Sequence, residues 1–373
     1  MKTLQDLVNW AMAEGFILTK VKPYMTNNNK TGFVATGNIK KGDVVLKVPC
    51  KSAYTSSDIS AEIKDEYPGC EAQSYYALEI AKSIRKKEKN AWCFLDQVPD
   101  ELLRDSVLTW PDNVIKALPR QTNDLAADVK AMYTGDWTKT KLSQKKKNID
   151  IKEEEFKKAW IVAQTRMLMC RGINEEVIQV MLPLAEMFNH ASDGCHMELS
   201  EDYYEFRATR NYNTGDEVCW NYNEQYTNDD LLSCYGFIEK NNKKNYFVLD
   251  DFILPKLKKL SGAPKNEKER NLITHRESGL SGGITVELND TAENSLRFLR
   301  KQDKSLPGNR QFEDHPLEFD HIAKEFLGEL EMKTLEEYSK IEKDIKEYPI
   351  IKKRWEEHLM LIKNALKTYS YDE

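Results

Sequence analysis

An α+β fold is what this sequence predicts, with two separated blocks of strands, a helical insertion between them and a helical tail. Period-two alternation marks the blocks. Gly32-Phe33-Val34-Ala35-Thr36 and Asp43-Val44-Val45-Leu46-Lys47-Val48 form the first; Tyr204, Phe206 and Ala208, then Val218, Trp220 and Tyr222, form the second. From about residue 58 to 165 the period changes to that of helices. Beyond about 255 the chain is charged and again helical in pattern.

The first element predicted is an amphipathic surface helix. Leu4, Leu7, Val8 and Ala11 share one face, and Asp6 and Glu14 interrupt the apolar run, which argues against a signal peptide. Asn38 to Gly42 is a turn between the first two strands, and Pro49 closes the second because it has no N–H to give a ladder. In the insertion, Tyr76, Ala77, Ile80, Ala81 and Ile84 make one apolar face. Pro99, Pro111 and Pro119 cut the later part of the insertion into short pieces. Lys139 to Lys158 is expected as an exposed loop followed by a helix through Trp160 and Arg166. A further strand is expected at Tyr246-Phe247-Val248-Leu249. The glycine- and proline-bearing stretch 256–316 carries no legible pattern. In the tail, Ile322, Phe326 and Leu330 form one stripe, and Trp355, Leu359, Ile362 and Leu366 another. The expected division is a first domain, 1–254, holding the insertion, and a second, 255–373.

With 373 residues the chain can bury a large core. Its 55 basic and 61 acidic residues leave a net charge of -6, which argues against a nucleic-acid-binding surface. Lys145-Lys146-Lys147 is a short basic run, read as a solvated loop with nuclear import as the alternative. No apolar run approaches the ~20 residues that span a bilayer, so no membrane partner is expected. The 7 cysteines stand singly, an odd count that fits reduced thiols in the cytosol, with the nucleus as a second compartment. His190, Cys195 and His196 lie close but match no zinc framework, so no metal is expected. A Cys195–His196 nucleophile is disfavoured because neighbours on a strand point to opposite faces.

Chemistry concentrates between Leu182 and Phe237. LPLAEMFNHASDGCH brings Asn189-His190 behind an apolar lead-in; NTGDEVCWNYNEQYTNDDLLSCYGF carries Tyr222 after a Gly215-Asp216-Glu217 turn and Tyr235 at the end of a helical run. This combination resembles the SET domain of protein methyltransferases, in the branch of the Rubisco large-subunit lysine methyltransferase. The resemblance covers nearly the whole chain and is strongest at 182–237. It implies a split SET β-fold with a helical insertion, an all-helical C-terminal substrate-binding domain, S-adenosylmethionine as methyl donor, and a protein substrate, non-histone, with lysine as acceptor.

It also implies roles. Tyr222 matches the tyrosine beside the transferring methyl; read without the motif it is a strand tyrosine packed with Val218 and Trp220. Tyr235 matches a tyrosine of the lysine channel, and the alternative is an aromatic cap at a helix end. Asn189 and His190 match the cofactor-site pair, and Arg166 the arginine that contacts the cofactor carboxylate, a group it suits through its bidentate fork. Glu186 falls where an acidic residue approaches the substrate amine, or is a structural acid. Cys170, one helical turn beyond Arg166, is placed at the border of the substrate channel, and His196 at the active-site mouth. Asn29-Lys30-Thr31-Gly32 matches the glycine-rich opening that cradles the cofactor, except that Lys30 replaces the first glycine. Two rivals stay open: transfer to a histidine of actin, as in a sister branch that is expected to lack a tyrosine at the position of Tyr235, and a SET fold that binds a protein partner without catalysis.

Overall fold

The computed structural model describes residues 3–27, 29–86, 100–147, 151–171, 177–247, 284–285 and 316–368. The chain forms two compact units, one of Met1–Trp110, Ala126–Tyr226 and Leu231–Gly236, the other of Pro111–Leu125, Thr227–Asp230 and Phe237–Glu373.

The first unit opens with helix α1 (Leu4–Glu14), capped by a reciprocal Thr3–Asp6 box and buried through Leu7 and Ala11. Strands β1 (Ile17–Leu18), β2 (Val21–Met25), β3 (Thr31–Ala35) and β4 (Val44–Pro49) follow, then β5 (Tyr54–Thr55). The insertion supplies α2 (Ala61–Glu66), α3 (Ala72–Lys86), α4 (Asp100–Arg104), α5 (Asp112–Lys116), α6 (Arg120–Lys147) and α7 (Glu153–Arg166). Strands β6 (Leu168–Arg171), β7 (Val177–Met181), β8 (His190–Leu199), β9 (Tyr203–Arg207) and β10 (Glu217–Val218) then return, and α8 (Asn228–Tyr235) ends the site region. Three antiparallel sheets result, ordered β1-β4-β9-β8, β10-β3-β2 and β5-β7-β6. Sequence-distant β4 and β9 are zipped in register, Leu46 opposite Phe206 and Val48 opposite Tyr204, so the two strand blocks share one core.

That core has an aromatic spine. Phe33 stacks on Phe188 at 4.1 Å between ring centroids, Phe188 on Phe206 at 5.2 Å, and Phe206 meets Trp220 edge-on at 5.7 Å. Each such pair adds ~0.5–1.5 kcal/mol beyond burial. Between the strand blocks, α3 packs on α7, burying Tyr76, Ala77, Ile80 and Ala81 against Phe156, Ala159 and Trp160.

Two expectations are corrected. Lys139 to Lys147 is not a loop but the last part of α6. Its buried face continues through Asp136, Thr140, Ser143 and Gln144, polar residues that hide the helical period. They are tolerated because Trp160 Nε1 donates to Asp136 at 2.8 Å and Gln144 donates to the Ile151 carbonyl at 2.9 Å. Strand character at Val218 to Tyr222 is also narrower than the alternation suggests: the ladder ends at Val218, and Trp220 makes only isolated bridges.

The second unit contains β11 (Tyr246–Phe247) paired with β12 (Ile284–Thr285), and helices α9 (Pro316–Ile341) and α10 (Pro349–Thr368). Val248 and Leu249 lie outside the described residues, as do the side chains of Ile322 and Phe326. On α10 the expected stripe is buried at Trp355, Leu359 and Ile362, with Leu366 half-buried. Trp355 Nε1 donates to the Ala117 carbonyl at 2.8 Å. Beside it, Arg354 (1 % exposed) grips Asp229 (0 %) with two hydrogen bonds of 2.8 Å. Thr122 also donates to Asp229, while Asn228 and Arg354 hold Glu357. Burial, then the Arg354 charge, pushes the His358 pKa down to about 4, so this imidazole stays neutral inside the network.

Removing one partner of a buried ion pair strands the other charge. Arg354→Met is therefore expected to cost about 3–5 kcal/mol, and adding Asp229→Asn should return part of it. Urea unfolding followed by tryptophan fluorescence checks this; a single-variant loss below ~1 kcal/mol would mean the pair is not desolvated.

Candidate active site

The site is built on backbone contact between β8 and the segment after β10. Trp220 N–H donates to the Asn189 carbonyl at 2.9 Å, Cys195 N–H to Cys219 at 2.7 Å, and Asn221 N–H to Cys195 at 3.0 Å. Gly194 makes this approach feasible: a Cβ there would lie 2.7 Å from the Trp220 carbonyl carbon and 2.9 Å from Asn221 N. Just upstream, Leu184 adopts φ 68° and ψ -44°, a conformation costly for a branched residue. The turn it makes leads into a single 3-10 turn, Ala185–Met187, that buries Glu186.

These constraints bring Tyr222, Tyr235, Glu186 and Arg166 around one narrow pocket, whose lining also includes Thr165, Leu168, Phe188 and Trp220. Tyr222 hydroxyl donates to the Phe188 carbonyl at 2.7 Å, and its backbone N–H donates to His190 Nδ1 at 3.2 Å. Its ring lies 5.1 Å from each of His190, Trp220 and Tyr235. Burial raises the Tyr222 pKa to about 12, so the phenol is protonated at neutral pH and its hydrogen is committed to Phe188. A phenol oxygen can accept as well as donate. Tyr235 is flanked by Tyr226 at 6.1 Å, and burial raises its pKa well above the ordinary value.

Glu186 is 9 % exposed, and its Oε2 has no partner among the described residues. Burial lifts its pKa to about 7 against the opposing pull of Arg166. Arg166 spends one N–H on the Glu186 carbonyl. A guanidinium has five N–H groups, so donors remain for an anionic ligand.

On the other side of Asn189 lies the 26–31 turn. Lys30 N–H and carbonyl both bond to Thr26, and Asn29, at φ 60°, closes the turn by donating to the Thr26 carbonyl at 3.0 Å. Lys30 reaches Glu101 at 2.7 Å. Asn189 Nδ2 donates to the Thr31 carbonyl at 2.8 Å and to Glu217 Oε1 at 2.6 Å, tying this turn to the pocket side.

Residues 30–223, more than half of the chain, match the SET domain model. The chain belongs to the SET-domain family. Two curated relatives are chloroplastic ribulose-1,5 bisphosphate carboxylase/oxygenase large subunit N-methyltransferases, from Nicotiana tabacum (24 % identical over 268 residues) and Pisum sativum (24 % over 272). The match covers 66 % of this chain and 53 % of each relative, so the chain spans about half the length of the curated relatives it matches. Among solved structures, the SET domain of LSMT bound to lysine and AdoHcy is 18 % identical with a TM-score of 0.62, covering 98 % of this chain and 90 % of that one. Rubisco LSMT bound to sinefungin and monomethyllysine is 17 % identical, with a TM-score of 0.62 and coverages of 99 % and 92 %.

Within this SET domain the expected site residues divide. Tyr222, Tyr235, Glu186 and Arg166 share the pocket; Asn189, His190, Thr31, Lys30 and Asn29 form the adjoining strand-and-turn cluster. Cys170 does not join them. The helix ends at Arg166, so the one-turn relation fails, and Cys170 sits on β6 beside Tyr204, its pKa raised to about 11 by burial. His196 is exposed, faces Glu224 at 3.7 Å, and is not among the lining residues. The sequence reading missed Tyr24 and Glu217, which hold Asn189 in place, and the Phe188 carbonyl. Glu217 was visible as the end of a turn; a backbone acceptor leaves no side-chain signal. Among the described residues there is no His/Cys/Asp/Glu cluster fit for a metal and no helix long and apolar enough to cross a membrane.

Glu186 sets a stability test. Its folded pKa is raised above the unfolded value, so its stabilising contribution is complete below pH ~4.5 and is lost as pH rises through about 7. Glu186→Gln is expected to raise stability at pH 8 by an amount on the order of 1–3 kcal/mol and to leave it nearly unchanged at pH 5. Thermal melts of both proteins across that range check it; parallel pH profiles would mean Glu186 reaches solvent.

Proposed function

We propose that this chain is an S-adenosylmethionine-dependent protein-lysine N-methyltransferase acting on a non-histone protein. The observation that carries the reading is the pocket itself, where the Tyr222 hydroxyl, the unpartnered Glu186 oxygen and the Tyr235 ring converge in a family of methyltransferases. Support for lysine and for a non-histone substrate comes from the relatives, whose names specify a carboxylase subunit and whose structures hold lysine or methyllysine. The part from about 255 onward is proposed to select the substrate; the proposed compartment is the cytosol, with the nucleus second, and it rests on the singly placed cysteines, the two curated relatives being chloroplastic.

The residues fit the donor. When bound, S-adenosylmethionine supplies a methyl group on a positively charged sulfur. Aromatic faces, the Phe188 carbonyl and the Tyr222 oxygen offer electron-rich surroundings that accept weak C–H···O contacts without competing as nucleophiles. Arg166 would take the carboxylate end, and the Asn29–Thr31 turn with Asn189 and His190 the remainder.

For the acceptor, Glu186 Oε2 would take a hydrogen bond from the amine and receive its proton first. A lysine pKa near ~10.4 falls inside such a desolvated channel, while burial has raised that of Glu186, so the two approach each other. Once neutral, the amine would form the N–C bond as the C–S bond breaks, giving a thioether and a methylammonium that carries the charge the sulfur loses. Tyr222 acts through position: its hydroxyl, anchored on Phe188, fixes the line of attack.

Purified protein, labelled donor and native lysate should give a labelled band, with fragment-ion mapping to a lysine and a rate that rises steeply from about pH 6 to 9. A methylated histidine, with a rate flat above pH ~7, would move the assignment to the histidine branch. Tyr222→Phe should lower kcat at least ~10²-fold with donor affinity nearly unchanged. Wild-type turnover in that variant would reduce Tyr222 to packing.

A further inference from the structure

We infer that Lys30 and Glu101 are positioning residues: through one turn of α4 they brace the seat of Tyr235 against the 26–31 turn, so that binding of the methyl donor and binding of the acceptor amine reinforce one another. This rests on the donor reading above, and it gives the insertion and Lys30 a role that the resemblance does not contain.

Tyr235 is the last residue of α8, and Gly236 closes the helix at φ 78°, its N–H donating to the Leu232 carbonyl at 3.1 Å. A Cβ on Gly236 would lie 2.6 Å from the Asp105 carbonyl oxygen and 2.9 Å from its carbon. Those are backbone atoms and cannot swing aside. The residue next to Tyr235 is thus seated directly against the end of α4, and a shift of Asp105 reaches Tyr235 through a single peptide bond. Lys30, Glu101, Asp105 and Tyr235 all belong to the first unit.

The same helix carries that seat toward the donor side. Asp105 N–H donates to the Glu101 carbonyl at 2.8 Å, so one helical turn, about 5.4 Å, separates the two residues. The piece is stiff. Val107, Leu108 and Trp110 beyond it are buried, and Trp110 Nε1 donates to the Arg104 carbonyl at 3.0 Å. Glu101 Oε2 meets Lys30 Nζ at 2.7 Å. That contact holds the Glu101 carboxyl below its ordinary pKa, so it is ionised at neutral pH. Lys30 is tied to the turn by its own backbone, through Thr26, and the next residue, Thr31, receives the Asn189 amide. A glycine at 30 would leave the same turn with no arm to reach α4.

The two side chains are 52 % and 42 % exposed. An ion pair this open changes an equilibrium constant by about two- to fivefold and weakens with salt. It is too weak to hold the fold, yet strong enough to bias two ligands toward each other.

Two measurements on the full chain test this. With 3-fluorotyrosine in place of Tyr235 and no ligand present, the fluorine resonance should move in Lys30→Glu. It should return in the swapped pair, Lys30→Glu with Glu101→Lys, which rebuilds the contact at the same net charge. Lys30→Met stands in should Lys30→Glu not fold. Calorimetry with S-adenosylhomocysteine, alone and with monomethyllysine, then gives the factor by which the amine tightens the donor product. That factor should be about two- to fivefold larger in wild type and in the swapped pair than in Lys30→Glu, and the excess should vanish as salt rises from about 0.05 to 0.5 M. A resonance that is the same in all three proteins overturns the link to Tyr235. An equal factor in all three, or a loss that the swapped pair does not recover, overturns the coupling. Failure of S-adenosylhomocysteine to bind folded wild type removes the donor reading, and the fluorine resonance still decides whether α4 braces Tyr235.

Discussion

Gly194 lets two irregular strands touch, and nearly every feature of the site hangs on that contact. With the 2.7–3.0 Å bonds between residues 189–195 and 219–221 in place, Asn189, His190 and Tyr222 have fixed backbones although none of the three sits in a regular ladder opposite another. His190 Nδ1 then finds the Tyr222 N–H, and the Tyr222 hydroxyl finds the Phe188 carbonyl. A side chain at 194 would push Trp220 away, and Trp220 links the Phe206 end of the core to Tyr222. The site is therefore rigid because it continues the core. Its walls are the outer members of the same aromatic spine that begins at Phe33.

A dry aromatic pocket makes its few polar groups expensive, and the chain treats them unequally. Tyr222 and Arg166 each donate to a backbone carbonyl, of Phe188 and Glu186 respectively. Glu186 Oε2 is left without a partner among the described residues. Desolvating an acceptor without a bond costs free energy, and here it is expressed as a carboxyl that resists ionisation until about pH 7. Such an orphan is costly in itself and useful only when something arrives with an N–H to give it. That asymmetry, rather than the presence of an acid, separates Glu186 from Asp229. Asp229 is buried more deeply but carries three hydrogen bonds and a paired charge, and so has nothing left to offer.

How much of this was legible depends on the kind of signal. Strands 31–35 and 44–49 and the α3 face were readable because apolar residues mark them. The end of α6 was not, because its buried face is made of Asp136, Thr140, Ser143 and Gln144, of which Asp136 is paired with the Trp160 indole and Gln144 with the Ile151 carbonyl. Strand β6 escaped because it is short, follows close on Arg166 and ends in Arg171. Motif context singled out Tyr222, Tyr235, Glu186 and Arg166, which the structure gathers around one pocket; read without it, Tyr222 is a packed strand tyrosine, Tyr235 a helix-end cap and Glu186 a structural acid. Cys170 was misplaced because the helical spacing was carried past the point where the helix stops. Tyr24 and the Phe188 carbonyl were invisible: one lies in a stretch with no pattern, the other is backbone.

Lys30 shows why position, not composition, decides whether a departure from a family pattern matters. In a glycine-rich turn two different needs look alike in sequence, freedom of φ and absence of a Cβ. Here the residue with positive φ is Asn29, a type that tolerates it, while Lys30 gives its N–H and carbonyl to Thr26 and sends its side chain out to Glu101. The missing Cβ is needed two residues later, at Gly32, where Tyr24 lies against the backbone. A side chain at 30 therefore costs the turn little, because that position meets neither need. The same residue at 32 would dislodge Tyr24 and, through Glu217, free the amide of Asn189 to rotate. What the turn must keep is thus the seat of a hydrogen-bond chain, and the glycine count is only its shadow.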